Sequence, residues 1–434
     1  MDWKEEYKRR LKTPEEAAKL IKNNDRIAMQ GGTGIPPAFS AALAKRSEEL
    51  RNVVLCQGFA LAFHDYMKPE YKDSFRVETV FIGPAERYCM SFGTVDFVPN
   101  HLGSLGRWLD ETKINKVAAV VTPPDENGFM NRSCFGGLCT KRLADRAENL
   151  IVEVNANTPW LCSDVFQVHV SQCHAIIENN APLFEIPEIP ITPVEREIAT
   201  IVADMIPDGS TIQLGLGGLA NCIGHFLKNK NDLGFHTEVV SNSIMELVKC
   251  GAANGSKKSI MKGKVPFTFC VGTKELWEYM DHNETFIGFE IENVNDPGII
   301  RQNDNMVSVN NALMVDLTGQ VAAESIGTYQ YSATGGQMNF VLGSQMAKNG
   351  KSIIALPSTR TDKEGNRHSR ILDMFPQGTT VSTSRNDVHF VVTEFGAVNL
   401  RNRSISWRVA NLINIAHPDF REELTFKAKQ HGWL

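Results

Sequence analysis

Apolar and polar positions follow the same order at two places in the chain. Residues 14–22 and 195–205 each carry the spacing of an amphipathic helix. In both places a short turn rich in Asn, Asp or Gly follows, and an apolar strand then runs into glycines. A strand, a glycine-rich turn, a helix and a second strand form a βαβ unit, which predicts parallel strands and right-handed crossovers. We therefore predict an α/β fold with two duplicated open parallel-sheet domains.

One acidic residue distinguishes the second half from the first. When Gly32 is aligned with Gly217, Glu238 falls opposite Val53. Glu238 opens an apolar β-branched run just past the glycine-rich turn, close to where a βαβ unit places its ligand crevice. An acid at the start of a strand is often only solvated, so its position alone fits a surface carboxylate equally well. The difference between the halves favours a single catalytic site over two.

Further apolar segments bounded by turns predict additional strands at residues 116–122, 150–154, 267–271, 306–309, 352–356 and 389–393. Between the halves, residues 180–193 contain four prolines and show neither a helix nor a strand period. Such a segment is typical of an extended linker. We therefore place the domain boundary near residue 190, which gives one domain at residues 1–190 and another at residues 191–434.

Composition narrows the class of protein. The chain has 42% hydrophobic and 22% charged residues, no apolar run of bilayer-spanning length and no secretion signal, which predicts a cytoplasmic globular protein. The formal net charge of −5 is mild, so neither nucleic acid nor membrane is an expected partner. The nine cysteines are odd in number and lack paired zinc spacing, so we expect reduced thiols and no metal.

Two glycine-rich turns are candidates for anion binding. Residues 213–221 follow a strand and open an apolar helix, and residues 335–336 form a second glycine pair. Backbone N–H groups in such turns form a donor-rich site for an anion or an oxyanion. A dinucleotide site is the rival interpretation, but the first turn reads Gly-x-Gly-Gly and not Gly-x-Gly-x-x-Gly. Turns that only reverse the chain are the remaining alternative.

Taken together, these stretches resemble the class I coenzyme A-transferases of the acetyl-CoA hydrolase/transferase family. Within it they are most similar to the 4-hydroxybutyrate CoA-transferases and the butyryl-CoA:acetate CoA-transferases. The residues that carry the resemblance are 213–221, Glu238, 295–297, 335–340, 383–387, 393–396 and 414–420. The resemblance covers nearly the whole chain and is more specific than any single motif.

The resemblance implies roles for particular residues. Glu238 corresponds to the nucleophile, which carries coenzyme A as a glutamyl thioester in a ping-pong reaction, and Asn295 to the residue that orients it. The positions implied for the oxyanion hole and for coenzyme A are Leu216, Gly217, Gly335, Gly336 and Gln213. The resemblance also implies an active site between the two domains, a homodimer or a dimer of dimers, and no cofactor besides the coenzyme A thioester substrate.

Departures from the family pattern leave the substrate open. They are Ala220-Asn221 in the first glycine-rich turn, Ser241-Asn242-Ser243 after the glutamate, and Asn339 after the second glycine pair. The leading hypothesis is transfer between 4-hydroxybutyryl-CoA or butyryl-CoA and acetate. Alternatives are a succinyl-CoA:acetate transferase, an acyl-CoA hydrolase, a dehydrogenase, and a non-catalytic ligand sensor on the same scaffold, because fold alone does not determine function.

Overall fold

The computed structural model describes residues 2–187 and 190–434. Its strands, in chain order, are β1 Arg26–Met29, β2 Val53–Gln57, β3 Phe75–Thr79, β4 Val95–Phe97, β5 Lys116–Val121, β6 Phe129–Asn131, β7 Asn149–Val154, β8 Gln167–His169, β9 Ala175–Glu178, β10 Thr211–Leu214, β11 Gly234–Phe235, β12 Val239–Val240, β13 Val265–Phe267, β14 Phe269–Cys270, β15 Phe286–Gly288, β16 Met306–Asn311, β17 Met314–Asp316, β18 Val321–Ala322, β19 Ser325–Ile326, β20 Tyr329–Gln330, β21 Lys351–Ala355, β22 Thr359–Thr361, β23 Arg367–Ser369, β24 Ile371–Leu372, β25 Phe390–Thr393 and β26 Gly396–Asn399.

The helices, in chain order, are α1 Trp3–Arg10, α2 Pro14–Ala18, α3 Pro37–Ala44, α4 Pro84–Met90, α5 Leu105–Glu111, α6 Lys141–Arg146, α7 Pro193–Asp204, α8 Gly218–Phe226, α9 Asn242–Lys249, α10 Lys274–Met280, α11 Ile291–Val294, α12 Pro297–Ile300, α13 Gln337–Met346, α14 Ile405–Asn414 and α15 Pro418–Gln430. In the described part of the chain, none of them has the length and apolar character needed to cross a membrane.

The chain divides into two compact units, and the first consists of residues 2–187 and 266–294. Its main sheet has the order β4-β3-β2-β1-β5-β7-β9, and all neighbouring strands in it are parallel. The core lies under this sheet and is formed by apolar residues of the strands with α2 and α3. The order of the strands reverses direction between β1 and β5.

The second unit consists of residues 190–265 and 295–434. Its main sheet has the order β11-β10-β16-β21-β25-β26, which is parallel except for the last strand. Here the order reverses between β10 and β16, and the carboxyl ends of strands at such a point are where open α/β sheets bind ligands. The prediction of an α/β protein with two mainly parallel open sheets is confirmed.

The helices that precede β1 and β10 begin with the same capping device. Thr13 caps α2 and Thr192 caps α7, and in each case a glutamate three residues later completes a capping box, with proline at the first helical position. The predicted helix at residues 14–22 ends at Ala18, earlier than expected, whereas α7 extends over most of its predicted range. The repeat of Thr-Pro-x-Glu adds a second likeness between the halves.

The sheet register corrects the alignment of Glu238 with Val53. Arg26 pairs with Val54, 28 residues later, whereas the equivalent Thr211 pairs with Gly234, only 23 residues later. The connection is therefore shorter in the second half, and the counterpart of Glu238 in the sheet is Gly58. The two halves still differ in chemistry, because Gly58, like Val53, has no carboxyl group.

The predicted strand at residues 267–271 is wrong as a continuous element. Two short strands, β13 and β14, occupy this region, and Thr268 between them accepts a hydrogen bond on its carbonyl from the Gly137 N–H at 3.3 Å. This segment also changes the division of the chain, since residues 266–294 pack with the first unit and not with residues 191–434. A single boundary near residue 190 therefore does not describe both compact units.

Candidate active site

Glu238 lies just beyond the carboxyl end of β11, beside the point where the strand order reverses. The segment that leads to it runs along β10: the His236 N–H donates to the carbonyl of Ile212 at 3.0 Å. The buried hydroxyl of Thr237 donates to the carbonyl of Leu214, the last residue of β10, at 3.3 Å. These bonds hold the two residues between β11 and Glu238 against β10, so the position of Glu238 is set by the sheet.

The carboxyl group of Glu238 is bound by Asn295. The Asn295 Nδ2 donates to Oε2 of Glu238 at 2.7 Å, and Asn295 is only 1% exposed. The next residue, Asp296, caps α12 by accepting a hydrogen bond from the Gly298 N–H at 2.6 Å, which anchors the backbone that carries Asn295. In the described residues, Oδ1 of Asn295 is buried without a hydrogen-bond partner.

The environment of Glu238 changes its acidity. Burial raises the pKa of this carboxyl to about 7, although the hydrogen bond from Asn295 acts in the opposite direction. With this pKa the Glu238 carboxyl is present in both protonation states near neutral pH. Perturbed carboxyls of this kind are frequent at catalytic sites.

Gly336 lies against the Glu238 carboxyl. A Cβ atom at this position would lie 1.9 Å from Oε2 of Glu238 and 2.5 Å from Nδ2 of Asn295, so only glycine fits without moving them. The preceding residue, Gly335, has a φ of +56°, in the left-handed region that favours glycine. Gly336 is also the N-terminal cap of α13, and the N-terminus of a helix favours negative charge.

The turn after β10 presents backbone donors in the same unit. Gly217 has a φ of +113°, and a Cβ atom there would have only Asn311 Nδ2, at 4.0 Å, as a neighbour. For Leu216, Gly335 and Gly336, no hydrogen bond from the backbone N–H is found within residues 2–187 and 190–434. These N–H groups are therefore available to a ligand, while the side chain of Leu216 is 39% exposed.

Gln213 is engaged in a different contact. Its Oε1 accepts from Asn310 Nδ2 at 3.2 Å, and its Nε2 donates to Asn310 Oδ1 at 3.5 Å. Gln213 lies on β10 and Asn310 on β16, so the amide pair joins the two strands at the reversal of strand order. The structure thus brings together Glu238, Asn295 and Gly336, and it gives the Gln213 amide a partner in the sheet.

Two of these residues were not predicted from the sequence. Thr237 was available as the hydroxyl directly before the glutamate, but its bond to Leu214 depends on the register of β10 and β11. Asn310 was visible as one of three polar residues in β16, and polar residues are unusual in a strand buried in a parallel sheet. Neither pattern identifies the partner residue by itself.

Neither a candidate metal site nor a disulfide is found in the described part of the chain. No cluster of three or more His, Cys, Asp or Glu residues with the geometry for a metal ion is present there. The cysteines are free thiols, and most of them are buried. The carboxyl of Glu238 combines a hydrogen bond from Asn295 with a raised pKa.

Comparison with known proteins assigns the family. The model of the acetyl-CoA hydrolase/transferase N-terminal domain matches residues 1–187, and that of the acetyl-CoA hydrolase/transferase C-terminal domain matches residues 272–428. The chain belongs to the acetyl-CoA hydrolase/transferase family, as its sequence predicted. It is an enzyme of the acyl-CoA:carboxylate CoA-transferase class.

Relatives are similar over their full length. The 4-hydroxybutyrate coenzyme A transferase of Clostridium kluyveri is 37% identical, covering 99% of this chain and 100% of that protein. The succinyl-CoA:cyclohexane-1-carboxylate CoA transferase of Geobacter metallireducens is 39% identical, covering 99% and 97%. The crystal structure of RipA from Yersinia pestis matches with a TM-score of 0.95 at 36% identity, covering 100% of both chains.

Proposed function

We propose that this enzyme moves coenzyme A between a short-chain acyl-CoA and acetate, with Glu238 as the nucleophile. The observation that carries the proposal is the arrangement at one carboxyl group. Glu238 is bound by Asn295 at 2.7 Å, has a raised pKa, and faces a glycine that leaves no room for a side chain. A carboxylate can become an anhydride and then a thioester, so the reaction requires neither a metal nor an organic cofactor.

The first half-reaction transfers coenzyme A to the enzyme. The ionised Glu238 attacks the thioester carbonyl, the coenzyme A thiolate leaves, and a mixed anhydride of Glu238 and the acyl group remains. The thiolate then attacks the glutamyl carbonyl of this anhydride, which releases the donor acid as its carboxylate and leaves a glutamyl-CoA thioester. Every atom of the donor is accounted for, and no water is consumed.

The second half-reaction reverses these steps with the acceptor. Acetate attacks the glutamyl thioester, the thiolate leaves, and it returns to the acetyl carbonyl of the new anhydride. Acetyl-CoA departs and Glu238 is again a carboxylate. Because the donor acid leaves before the acceptor reacts, the scheme is ping-pong.

Backbone donors support the charge that develops at the reacting oxygen. Each attack forms a tetrahedral centre with an oxyanion, and the N–H groups of Leu216, Gly335 and Gly336 have no other acceptor in the described residues. Losing one well-placed donor at such a site raises the barrier by about 3 kcal/mol. We assign the oxyanion to these donors, and the backbone around Gly217 to the binding of coenzyme A.

Asn295 orients the nucleophile and tunes it. Its Nδ2 donates to one carboxylate oxygen, Oε2, which leaves Oε1 to form the new bond. The same hydrogen bond favours the ionised form and so opposes the effect of burial on the pKa of Glu238. In this scheme the unpartnered Oδ1 of Asn295 faces no competing donor that would rotate the amide.

Relatives of different specificity support different donor acids. One similar protein is named for 4-hydroxybutyrate and another for succinyl-CoA and cyclohexane-1-carboxylate. We favour 4-hydroxybutyryl-CoA or butyryl-CoA as donor and acetate as acceptor.

The two units, each with a parallel sheet and a Thr-Pro-x-Glu helix start, support an origin by duplication. A cytoplasmic homodimer stays a prediction.

A donor panel tests the function. Butyryl-CoA, 4-hydroxybutyryl-CoA and succinyl-CoA are each incubated with the enzyme, with and without acetate, and acetyl-CoA and free thiol are measured. We expect acetyl-CoA formation with parallel-line kinetics, and little thiol release without acetate. Thiol release that is independent of acetate and equals the transfer rate would identify a hydrolase and contradict the proposal.

A matched pair of variants tests the residue. Glu238→Ala should lower the rate of transfer by several orders of magnitude, while coenzyme A still binds. Glu246→Ala removes another glutamate of the second unit, one that forms a 3.3 Å ion pair with Lys228, and should leave transfer within about threefold. Equal activity of the two variants would refute the assignment of Glu238.

A further inference from the structure

Glu324 is a buried carboxylate of the second unit that none of the steps above uses. It directly precedes β19 and is only 6% exposed. Among the residues that the structure describes, no lysine, arginine or histidine forms an ion pair with it. A buried carboxyl group is unfavourable unless hydrogen-bond donors satisfy it, so the hydrogen-bond partners of Glu324 identify the segments that it connects.

The bonds of Glu324 converge on the segment that precedes Gly335. Its Oε1 accepts from the hydroxyl of Thr334 at 3.0 Å. Its backbone carbonyl accepts from the N–H groups of Tyr331 at 2.8 Å and Ser332 at 2.9 Å. One residue thus binds three positions of the four that lead into the glycine pair, through both its side chain and its main chain.

The same carboxylate is tied to a second segment. Oε1 of Glu324 also accepts from the hydroxyl of Ser382 at 2.8 Å, and the Ser382 hydroxyl in turn accepts from the Ala323 N–H at 3.0 Å. The neighbour of Ser382 is Thr383, whose hydroxyl accepts from Gln337 Nε2 at 3.0 Å. Ser382 and Thr383 are themselves bound to β18 through the carbonyl of Val321.

The glycine pair is therefore held from both sides. Thr334 precedes Gly335 and is bound to Glu324, while Gln337 follows Gly336 and is bound to Thr383. The first hydrogen bond leads to residues 321–324 and the second to residues 382–383, and these two segments are hydrogen-bonded to each other. A glycine pair has high intrinsic freedom, so an external frame is needed to keep it in one place.

We infer that Glu324 is a positioning residue for the reaction: it holds Gly335 and Gly336 at the distance from the Glu238 carboxyl that the oxyanion donors require. The inference rests on the proposed function. Glu324 contacts neither the carboxyl of Glu238 nor, in the proposed scheme, the reacting atoms, and it changes no bond during turnover.

The space between Gly336 and the Glu238 carboxyl leaves little room for movement of the loop. Gly336 lies so close to Oε2 of Glu238 that even one added carbon atom would overlap with it. A shift of the loop away from Glu238 would separate the backbone donors from the oxyanion, and a displacement of about 1 Å at a reacting centre lowers rates on the order of 100-fold. Binding of coenzyme A, a long molecule with many remote contacts, should be affected far less.

Three variants separate positioning from simple stability. Glu324→Leu removes the acceptor, Glu324→Gln retains an oxygen that can accept from Thr334 and Ser382, and Thr334→Val removes a single donor at constant size. Asp316→Asn is the control, because Asp316 is a buried carboxylate of the same unit that accepts from Thr318 and Gln320 at 2.6 to 2.9 Å.

Single-turnover formation of the glutamyl-CoA thioester, KM for butyryl-CoA and Tm are measured for each. We expect Glu324→Leu to lower the rate on the order of 100-fold and Thr334→Val about 10-fold, with KM within about threefold. Glu324→Gln should restore the rate to within about fivefold of the wild type. Asp316→Asn should lower Tm and leave the rate within about threefold.

Two results would overturn the inference. One is a wild-type rate in folded Glu324→Leu, or in Thr334→Val if the leucine variant does not fold. The other is a loss that appears equally in Asp316→Asn and follows Tm. The proposed function fails separately: in that case the wild-type enzyme itself forms no thioester on Glu238, whatever the variants do.

Discussion

Asn295 donates a hydrogen bond to the carboxyl of Glu238 at 2.7 Å, while its own carbonyl oxygen is buried without a partner in the described residues. The two residues are 57 positions apart in the chain. Within the described residues, the side-chain hydrogen bond of Asn295 is therefore the one to Glu238. The relationship explains how a carboxyl whose pKa is raised by burial remains oriented and partly ionised.

Replacing Asn295 by leucine should impair the nucleophile without removing it. The variant loses the donor that favours the ionised form, so the pKa of Glu238 rises further and the carboxyl loses its orientation. A hydrogen bond to a charged group contributes about 1.5 to 3 kcal/mol, so kcat/KM at pH 7 should fall about 10-fold to 100-fold. Steady-state kinetics with butyryl-CoA and acetate measure the loss.

Asn303→Leu is the matched control for that variant. Asn303 is a buried amide of the same unit with an equally unpartnered Oδ1, and its Nδ2 lies 3.4 Å from Nδ1 of His236. Asn303→Leu should change the free energy of unfolding more than it changes kcat/KM. An equal loss of kcat/KM in both variants would show that the Asn295 contact has no particular role.

The rate should depend on the ionisation of Glu238. Because burial raises its pKa to about 7 and only the ionised form attacks, kcat/KM should increase with pH through about 7 and level off above it. The phosphate of coenzyme A titrates near pH 6, so butyryl-pantetheine serves as a control substrate without phosphate. A flat profile between pH 5 and 8 for both substrates would contradict the account.

Gly336→Ala should displace the carboxyl from its place. The new methyl group would lie 1.9 Å from Oε2 of Glu238, so either the side chain or the loop has to move. We expect kcat to fall on the order of 100-fold or more. Gly343→Ala is the control: Gly343 lies in α13, the helix that Gly336 caps, and its added methyl group would clash with Ile300 of α12 at 2.6 Å. That variant should lose stability and keep its activity per folded molecule.

Glu238→Gln should be more stable than the wild type above neutral pH. The folded-state pKa of about 7 exceeds the ordinary value of 4.5, so the folded protein holds the proton longer than the unfolded chain does. Stability therefore declines as pH rises from 4.5 to 7, by about 3 kcal/mol in total. Gln does not titrate, so the Tm difference between variant and wild type should grow over this window. A Tm difference that is constant with pH would argue against the shifted pKa.

Local pattern was sufficient to predict two mainly parallel sheets and most of their strands, and it singled out Glu238 as a candidate. These features depend on periodicity within a segment or on an order of elements that repeats. The pair Gly335-Gly336 could also be identified as a candidate anion-binding turn, because adjacent glycines are recognisable in the sequence without knowledge of their contacts.

The contacts of the site could not be predicted in the same way. The pairing of Glu238 with Asn295, and its approach to Gly336, depend on where distant segments meet. A connection that is shorter in the second half moved the counterpart of Glu238 from Val53 to Gly58, since register follows loop length and not only strand pattern. The return of residues 266–294 to the first unit has no local signal either.

Direct detection of the glutamyl thioester tests the central claim most directly. The enzyme is incubated with butyryl-CoA without acetate, treated with borohydride, digested and analysed by mass spectrometry. A thioester at Glu238 is reduced to the alcohol, so the peptide that contains residue 238 should lose one oxygen and gain two hydrogens, with transfer activity lost in parallel. An unmodified Glu238 peptide in enzyme that still transfers coenzyme A, or reduction at another carboxyl, would contradict the account.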